Sequence, residues 1–248
     1  MGPQQEFVRF AAVGDLHCTK ESAGTLRAFF AAAAEAADAL LLCGDLTDYG
    51  LAEEAKVLVE ELKAAGSMPI VAVLGNHDYE SDTPDVVRGI LGEAGVRVLD
   101  GEAIEVHGVG IAGVKGFCGG FGRGSLGGWG EHAIKLFVNE AIQEALKLES
   151  ALAKLRTPRR IAMLHYAPVV ATVAGEPPEI FPFLGSSRLE DPLLRHPVTA
   201  VVHGHAHRGC LEGLTVNGIP VYNVAKPLLQ RTDPQRPGFR VLDIPREA

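Results

Sequence analysis

The chain has 248 residues, of which 47% are hydrophobic, and this supplies enough apolar material for a large buried core. Its net charge of −8 argues against binding to duplex nucleic acid, which requires a basic surface. We find no apolar run long enough to cross a membrane and no signal-peptide pattern at the start, so we expect a cytoplasmic protein.

The first third of the chain alternates between apolar strands and helical segments. One apolar run ends at Asp15, a second ends at Asp45 and a third ends at Asn76. Segments of helical composition lie between them, over 21–37 and 51–66. A spacing of about 30 residues is typical of βαβ units. This pattern predicts parallel strands with helices packed on the faces of a sheet.

The rest of the chain contains further strands and one long helix. Short β-like runs between 96 and 114 precede a glycine-rich aromatic loop over 115–130. The periodicity over 132–155 predicts the longest helix, and a strand then ends at His165. Another strand leads into the histidine-rich stretch VVHGHAHRG over 201–209, and three short strand-like runs follow it. Because no internal repeat or linker is visible, we expect one α/β domain over residues 1–248.

Polar side chains that can bind metals follow five of the predicted strands. The functional crevice of an open α/β sheet lies at the carboxyl ends of its strands, so we expect these side chains to converge. Imidazole, carboxylate and amide oxygen together suit Mn, Fe, Co, Ni or Zn. We interpret the glycines before them as giving the backbone freedom for a sharp turn. These glycines are Gly14, Gly44, Gly75 and Gly204.

Each of these polar residues has a simpler interpretation when it is taken alone. Asp15, Asp45 and Asn76 are residue types that commonly cap helices. A histidine on an apolar strand, such as His165, is often bonded to the backbone in a core. His203 has the same parity as the two histidines that follow it, so alternation alone would make it a ligand as well. The complete set nevertheless favours a metal site.

A family resemblance rests on four short blocks and one histidine, which follow one another along the chain. The blocks are GDLH, GDLTD, GNHD and GHAH, and the histidine follows an apolar strand that lies between the last two blocks. In order and type they resemble the calcineurin-like metallophosphoesterases, from Asp15 to His207. The resemblance implies an α/β fold, a four-layer α-β-β-α sandwich of two mixed β-sheets flanked by helices. It also implies two divalent or trivalent metal ions, with Mn, Fe, Zn, Ni and Co as candidates. The implied ligands are Asp15, His17, Asp45 and His207 for the first ion, with Asp45 bridging, and Asn76, His165 and His205 for the second.

The resemblance also implies roles outside the ligand set. His77 would face the substrate phosphate, Asp78 would orient His77, and Asp48 would support the ligands from behind. The family spacing places His203 in a packing or supporting role. In the implied mechanism a metal-bridging hydroxide attacks phosphorus, while His77 stabilises the phosphoryl oxygens and protonates the leaving group.

Substrate recognition is less readable from the sequence. The loop over 115–130 offers Phe117, Arg123 and Trp129 as candidate substrate-binding residues, and it fits a lid and a structural loop equally well. No βαβ unit frames its glycines, so it is not a dinucleotide fingerprint. Phe181 and Phe183 could line the pocket or form a dimer contact, which leaves a homo-oligomer open.

The predicted activity is hydrolysis of phosphomonoesters or phosphodiesters, as a phosphatase or phosphodiesterase. The expected partner is a small phosphate ester, with nucleotides and cyclic nucleotides among the candidates. Three alternatives stay open. One is a non-catalytic metal-binding or scaffold module on the same fold. Another is a metal-dependent hydrolase that acts on a non-phosphate substrate. The third is a DNA exonuclease of the same family, which an acidic and compact chain disfavours.

Overall fold

Two β-sheets lie face to face between layers of helices in the computed structural model, which describes residues 6–235 and 237–246. The strands are β1 (Phe7–Val13), β2 (Ala39–Cys43), β3 (Ile70–Val73), β4 (Arg97–Val98), β5 (Glu102–Val106), β6 (Val109–Gly113), β7 (Arg159–Met163), β8 (Ala200–His203), β9 (Glu212–Leu214), β10 (Pro220–Asn223) and β11 (Arg240–Pro245). The α-helices are α1 (Arg27–Ala36), α2 (Ala52–Leu62), α3 (Pro84–Glu93), α4 (His132–Lys154), α5 (Phe181–Leu184), α6 (Glu190–Arg195) and α7 (Lys226–Thr232).

Both sheets are mixed, and their parallel strands share one direction within each sheet. The first sheet has the order β11-β1-β2-β3-β4, with β11 antiparallel to β1 and the other pairs parallel. The second has the order β5-β6-β7-β8-β10-β9, with antiparallel strands only at its two edges. The carboxyl ends of β1, β2 and β3 therefore lie together, as do those of β6, β7 and β8.

Three apolar layers hold the sheets and helices together. Alternate side chains of the strands, such as Phe10, Leu41 and Ile161, fill the space between the two sheets. The opposite face of the first sheet is covered by α1, α2 and α3, and that of the second by α4 and α6. This arrangement confirms the predicted α-β-β-α sandwich. Within the described ranges, none of the helices combines the length and apolar character that crossing a membrane requires.

The helix boundaries differ in places from the periodicity of the sequence. The predicted helix over 21–37 begins only at Arg27, because the backbone N–H groups of Gly24 and Leu26 donate to the buried carboxylate of Glu61 instead. The helix over 51–66 ends in a 3-10 turn and a left-handed Gly66, with φ of 62°. Helix α4 lies where the sequence predicts it.

Candidate metal centre

The polar residues that follow the strands converge where the two sheets meet. Asp15 and His17 follow β1, Asp45 follows β2, and His165 follows β7. The backbone N–H of Asp15 donates to the carbonyl of Gly44 at 2.9 Å, which joins the turns after β1 and β2. The second sheet reaches the same point, because the backbone N–H of His205 donates to both carboxylate oxygens of Asp15, at 3.0 and 2.9 Å.

Two groups of carboxylates and imidazoles form at this junction. In each group the ligand atoms lie within 4.8 Å of one another. We call Asp15, His17 and His207 the first ligand group, and Asp45, His165 and His205 the second ligand group. Asp45 also lies within this distance of His17 and His77, so its carboxylate stands between the two groups. These distances alone place six of the seven predicted ligands in the two ligand groups.

The seventh predicted ligand, Asn76, joins the second ligand group through His165. Nδ1 of His165 lies 2.9 Å from the carbonyl oxygen of Cys43, and because a carbonyl only accepts, this nitrogen donates. Nε2 of the same ring faces Oδ1 of Asn76 at 2.9 Å and Oδ1 of Asp45 at 3.3 Å. In a neutral imidazole all three of these atoms carry lone pairs, so a metal cation would fit between them.

His17 gives the clearest sign of a missing partner in the first ligand group. Its Nδ1 lies 3.1 Å from Oδ1 of Asp48, so the carboxylate fixes the ring with the proton on Nδ1. Its Nε2 is buried, has no hydrogen-bond partner among the residues that the structure describes, and lies 3.9 Å from Oδ2 of Asp45. A buried nitrogen lone pair without a donor is costly, and a metal ion would satisfy it. The donor set of oxygen and imidazole nitrogen fits the predicted transition metals.

The remaining two histidines of the ligand groups lie in different electrostatic surroundings. Burial lowers the pKa of His205 to about 3, which keeps the ring neutral, and its Nε2 donates to the carbonyl of Phe183 at 3.1 Å. Nε2 of His207 lies 2.9 Å from Oδ1 of Asp15, and this hydrogen bond raises the pKa of His207. Although burial opposes its ionisation, that same hydrogen bond and the nearby histidines bring the pKa of Asp15 to about 2.

Four of the predicted ligands have backbone angles that non-glycine residues rarely adopt. Asp15, His17, Asp45 and His205 have φ of 58°, 45°, 49° and 69°. These left-handed conformations cost free energy, and such residues cluster at functional sites. The strain aims the carboxylates and imidazoles toward the junction of the two sheets.

Three of the four glycines beside these residues serve a different purpose from the one the sequence suggests. Only Gly44 has a left-handed φ, of 81°. A Cβ atom on Gly75 would lie 2.2 Å from Asp45, and one on Gly204 would lie 2.4 Å from Asp15. The interpretation of these two glycines, and of Gly14, as sources of backbone freedom is therefore wrong, because they are required for space.

His203 lies apart from both ligand groups. It is fully buried, its Nδ1 donates to the carbonyl of Gly204 at 2.8 Å, and its Nε2 lies 2.8 Å from Oγ1 of Thr172. Burial lowers the pKa of His203 to about 4. Both ring nitrogens are thus occupied by protein atoms, which agrees with packing rather than metal binding.

The sequence suggests that Asp78 orients His77, but the carboxylate of Asp78 has other partners. Its buried carboxylate accepts hydrogen bonds from the backbone N–H groups of Leu46, Thr47 and Gly75 and from the hydroxyl of Thr47. It therefore ties the turn after β2 to the turn after β3. No sequence pattern marks this role, because all but one of its donors belong to the main chain.

His77 is oriented by Asp48 instead. Its Nδ1 donates to the backbone carbonyl of Asp48 at 2.7 Å and lies 3.8 Å from the carboxylate of the same residue. Although burial opposes protonation, this hydrogen bond and the carboxylates of Asp45 and Asp48 raise the pKa of His77. The predicted supporting role of Asp48 thus extends to two histidines, His17 and His77.

The three candidate substrate-binding residues of the glycine-rich loop lie in different places. Phe117 packs against Tyr166, whose ring centroid lies 4.5 Å from that of His205. Arg123 and Trp129 are exposed, the latter at 75%, and in the described ranges neither forms a hydrogen bond or ring contact with a predicted ligand. The loop itself is held to the α5 region by backbone hydrogen bonds.

The sandwich, with carboxylates and imidazoles gathered at one junction of its sheets, defines an α/β protein with a candidate metal centre. A model of the calcineurin-like phosphoesterase family matches residues 8–209, and the chain belongs to this family. Family membership and the candidate ligand groups together support a metallophosphoesterase. Comparison with curated protein sequences found no match.

Solved structures share this fold at low sequence identity. Phosphopantetheinyl hydrolase from Mycobacterium tuberculosis has a TM-score of 0.68 and 15% identity, with 96% of each chain covered. The protein TT1561 of Thermus thermophilus has a TM-score of 0.56 and 15% identity, over 96% of this chain and 99% of that one. GAP50, the anchor in the inner membrane complex of Plasmodium, has a TM-score of 0.58 and 15% identity, over 90% of this chain and 73% of that one.

Proposed function

We propose that the chain is a dinuclear metal-dependent hydrolase of small phosphate esters. The observation that carries the proposal is the buried Nε2 of His17, which finds no hydrogen-bond partner in the described part of the chain and lies beside two ligand groups that Asp45 joins. When bound, the two ions would polarise the phosphoryl oxygens and make a water molecule acidic enough to act as the nucleophile. The residues that would hold them are Asp15, His17, Asp45 and His207 for one ion, and Asp45, Asn76, His165 and His205 for the other.

The charge of this ligand set explains how an acidic protein would bind an anionic ester. The set contains two carboxylates, those of Asp15 and Asp45, and otherwise neutral donors. Two divalent ions bring roughly +4 against roughly −2 from the ligands, so the site stays cationic. The net charge of −8 belongs to the whole chain, includes these two carboxylates, and does not prevent local attraction of phosphate.

His77 would act as the general acid. Because its Nδ1 donates to Asp48, the nitrogen that remains for the substrate is Nε2, and the half-exposed ring can present it. The raised pKa of His77 favours the protonated ring, in which this atom carries a proton. Transfer of that proton to the departing oxygen would help the ester bond to break. The carboxylate of Asp48 would keep both His17 and His77 in position.

The test combines metal content with hydrolysis of two chromogenic esters. The protein is purified without chelator, and its metals are counted by elemental analysis. Turnover of p-nitrophenyl phosphate and bis-p-nitrophenyl phosphate is then measured before and after chelation, with Mn, Fe, Co, Ni and Zn added back singly. We expect about two ions per chain, and turnover that chelation abolishes. A protein that no ion activates would instead be a binding or scaffold module.

The ratio of the two rates distinguishes the substrate classes within the proposal. Faster diester hydrolysis would place cyclic nucleotides and other diesters first among the natural substrates. Faster monoester hydrolysis would favour nucleotides and similar phosphomonoesters.

A further inference from the structure

Lys115 is a buried cation beside the proposed centre, and the proposed chemistry does not use it. It lies two residues beyond β6, at the edge of the second sheet where the metal-ligand turns begin. Its backbone carbonyl accepts hydrogen bonds from the N–H groups of His165 and Tyr166, at 3.0 and 3.1 Å. The residue is only 8% exposed, which is unusual for lysine.

The nearest ion pairs around Lys115 form among its neighbours and do not include its ammonium. Asp100 forms ion pairs with Arg88 at 3.2 Å and with Lys147 at 3.0 Å. Lys147 also pairs with the buried Glu144 at 2.6 Å. These four residues carry two positive and two negative charges. Glu140 and Glu144 act on Lys115 only at longer range, because over the described ranges no carboxylate oxygen lies within 4.0 Å of its ammonium.

The aromatic surroundings of the ammonium do not satisfy its hydrogen-bond donors. Nζ lies 4.8 Å from the ring centroid of Phe117, 5.3 Å from that of Tyr79 and 5.4 Å from that of Tyr166. It donates to the carbonyl of Gly116 at 2.9 Å, which accounts for one of three N–H groups. Cation–π contacts favour the charge but accept no directed hydrogen bond. Burial lowers the pKa of Lys115, although the carboxylates of Glu144 and Glu140 oppose this shift.

The position of the ammonium fits a group of the substrate other than the phosphate that reacts. Tyr166 stands between Lys115 and His205, with its ring 4.5 Å from the ring of His205. Tyr79 comes two residues after His77 and forms another wall of the Lys115 surroundings. An aromatic ring thus separates the ammonium from the ligand groups. The ammonium is therefore too far from these groups to contact a phosphoryl group bound there.

We propose that Lys115 is a specificity residue that binds a second anionic group of the substrate, a carboxylate or a further phosphate, beside the phosphoryl group at the ligand groups. This inference rests on the proposed function, because the ligand groups must hold the first phosphate. The rings of Phe117, Tyr79 and Tyr166 surround the ammonium and would keep it in place for the anion. Substrates that carry one anionic group would gain nothing from it.

Two non-hydrolysable probes test the proposal by calorimetry on the metal-loaded protein. Ethylphosphonate carries one anionic group, and 3-phosphonopropionate adds a carboxylate at the far end. We expect the second probe to bind roughly 10- to 100-fold more tightly, which is the range of one hydrogen bond to a charged group. Equal affinities would overturn the inference about Lys115 alone. If neither probe bound, the proposed function would fail and the inference with it.

A lysine variant and a matched control separate specificity from folding. Lys115→Met keeps the apolar stem and removes the charge, so it should bind both probes with the affinity that the wild type has for ethylphosphonate. Lys63→Met, at an exposed position in the 3-10 turn that follows α2, should behave as the wild type. If Lys115→Met weakened both probes equally, Lys115 would be a structural residue. The wild-type comparison decides the question even if the variant fails to fold.

A third probe then distinguishes the two sources of the second charge. Ethylenediphosphonate carries a second phosphonate where 3-phosphonopropionate carries a carboxylate, and its binding is measured in the same way. A larger loss with Lys115→Met for the diphosphonate would identify a second phosphate as the preferred group. A larger loss for the carboxylate probe would identify a phosphocarboxylate substrate.

Discussion

Replacement of Gly75 by alanine tests whether close packing, rather than chain flexibility, positions Asp45. Gly75 lies in the turn after β3, and its φ is not in the left-handed region, so alanine meets no backbone penalty there. A Cβ atom would, however, lie 2.2 Å from both the backbone nitrogen and Oδ1 of Asp45 and 2.8 Å from Cε1 of His165. The added methyl group therefore meets two members of the second ligand group.

The expected effect follows from the size of this overlap. Ordinary contacts of a Cβ atom begin near 3.4 Å, so Asp45 must retreat by roughly 1 Å. A displacement of about 1 Å at a catalytic group costs about 100-fold in rate. Overpacking a dense site costs about 1–3 kcal/mol in the free energy of unfolding. We expect Gly75→Ala to lose bound metal and at least this factor in turnover of p-nitrophenyl phosphate.

A second glycine supplies the matched control. Gly89 lies inside α3, and a Cβ atom there would meet nothing within 4 Å. Gly89→Ala should therefore raise the free energy of unfolding by about 0.5–1 kcal/mol and leave metal content unchanged. Urea unfolding, elemental analysis and turnover are measured for both variants. Full metal content and wild-type turnover in Gly75→Ala would refute the claim that space at this glycine positions Asp45.

Three further predictions follow from the same geometry. His77→Gln should lower turnover by about 100-fold or more while both metals stay bound. The loss should be larger for phenyl phosphate than for p-nitrophenyl phosphate, because the poorer leaving group needs the proton more. Equal losses for the two esters would argue against a general acid. Asp78→Asn should lower the free energy of unfolding by about 3 kcal/mol in urea titrations, since two buried N–H groups lose an acceptor; wild-type stability would contradict this role. A thiol reagent at pH 8 should label the exposed Cys210 fast and the three buried cysteines slowly. The reason is that burial raises the pKa of Cys18 and of Cys118 to about 11. Fast labelling of more than one thiol in the folded protein would contradict the structure.

Much of the fold is readable because apolar strands and ligand residues alternate along the chain. The runs that end at Asp15, Asp45 and His165 are short, apolar and followed by polar residues, which predicts parallel strands with a shared functional edge. Helix α3 is not marked in this way, because Gly89 and Gly92 interrupt its composition. Its stability comes from packing of Val87 and Leu91 into the core, which sequence spacing alone does not reveal.

The candidate site is readable as a list of residue types but not as a set of contacts. The predicted ligands are all Asp, Asn or His, so the order of these residues along the chain carries information. The partners that orient them, such as the carbonyls of Cys43, Asp48 and Phe183, are main-chain atoms that any residue would supply. Lys115 is visible in the sequence only as a single charge at the end of an apolar run. Its role depends on carboxylates that are distant in the sequence.

The contact between Asp15 and His205 also constrains the order of events during synthesis. These residues are 190 positions apart, and β1 obtains its antiparallel neighbour only from β11. A growing chain on the ribosome thus presents Asp15, His17 and Asp45 long before the imidazoles of the second sheet exist. Contacts of such long range form late and slowly. Both ligand groups are therefore assembled after translation has passed His207, and ions that meet the chain earlier find only half of a binding site.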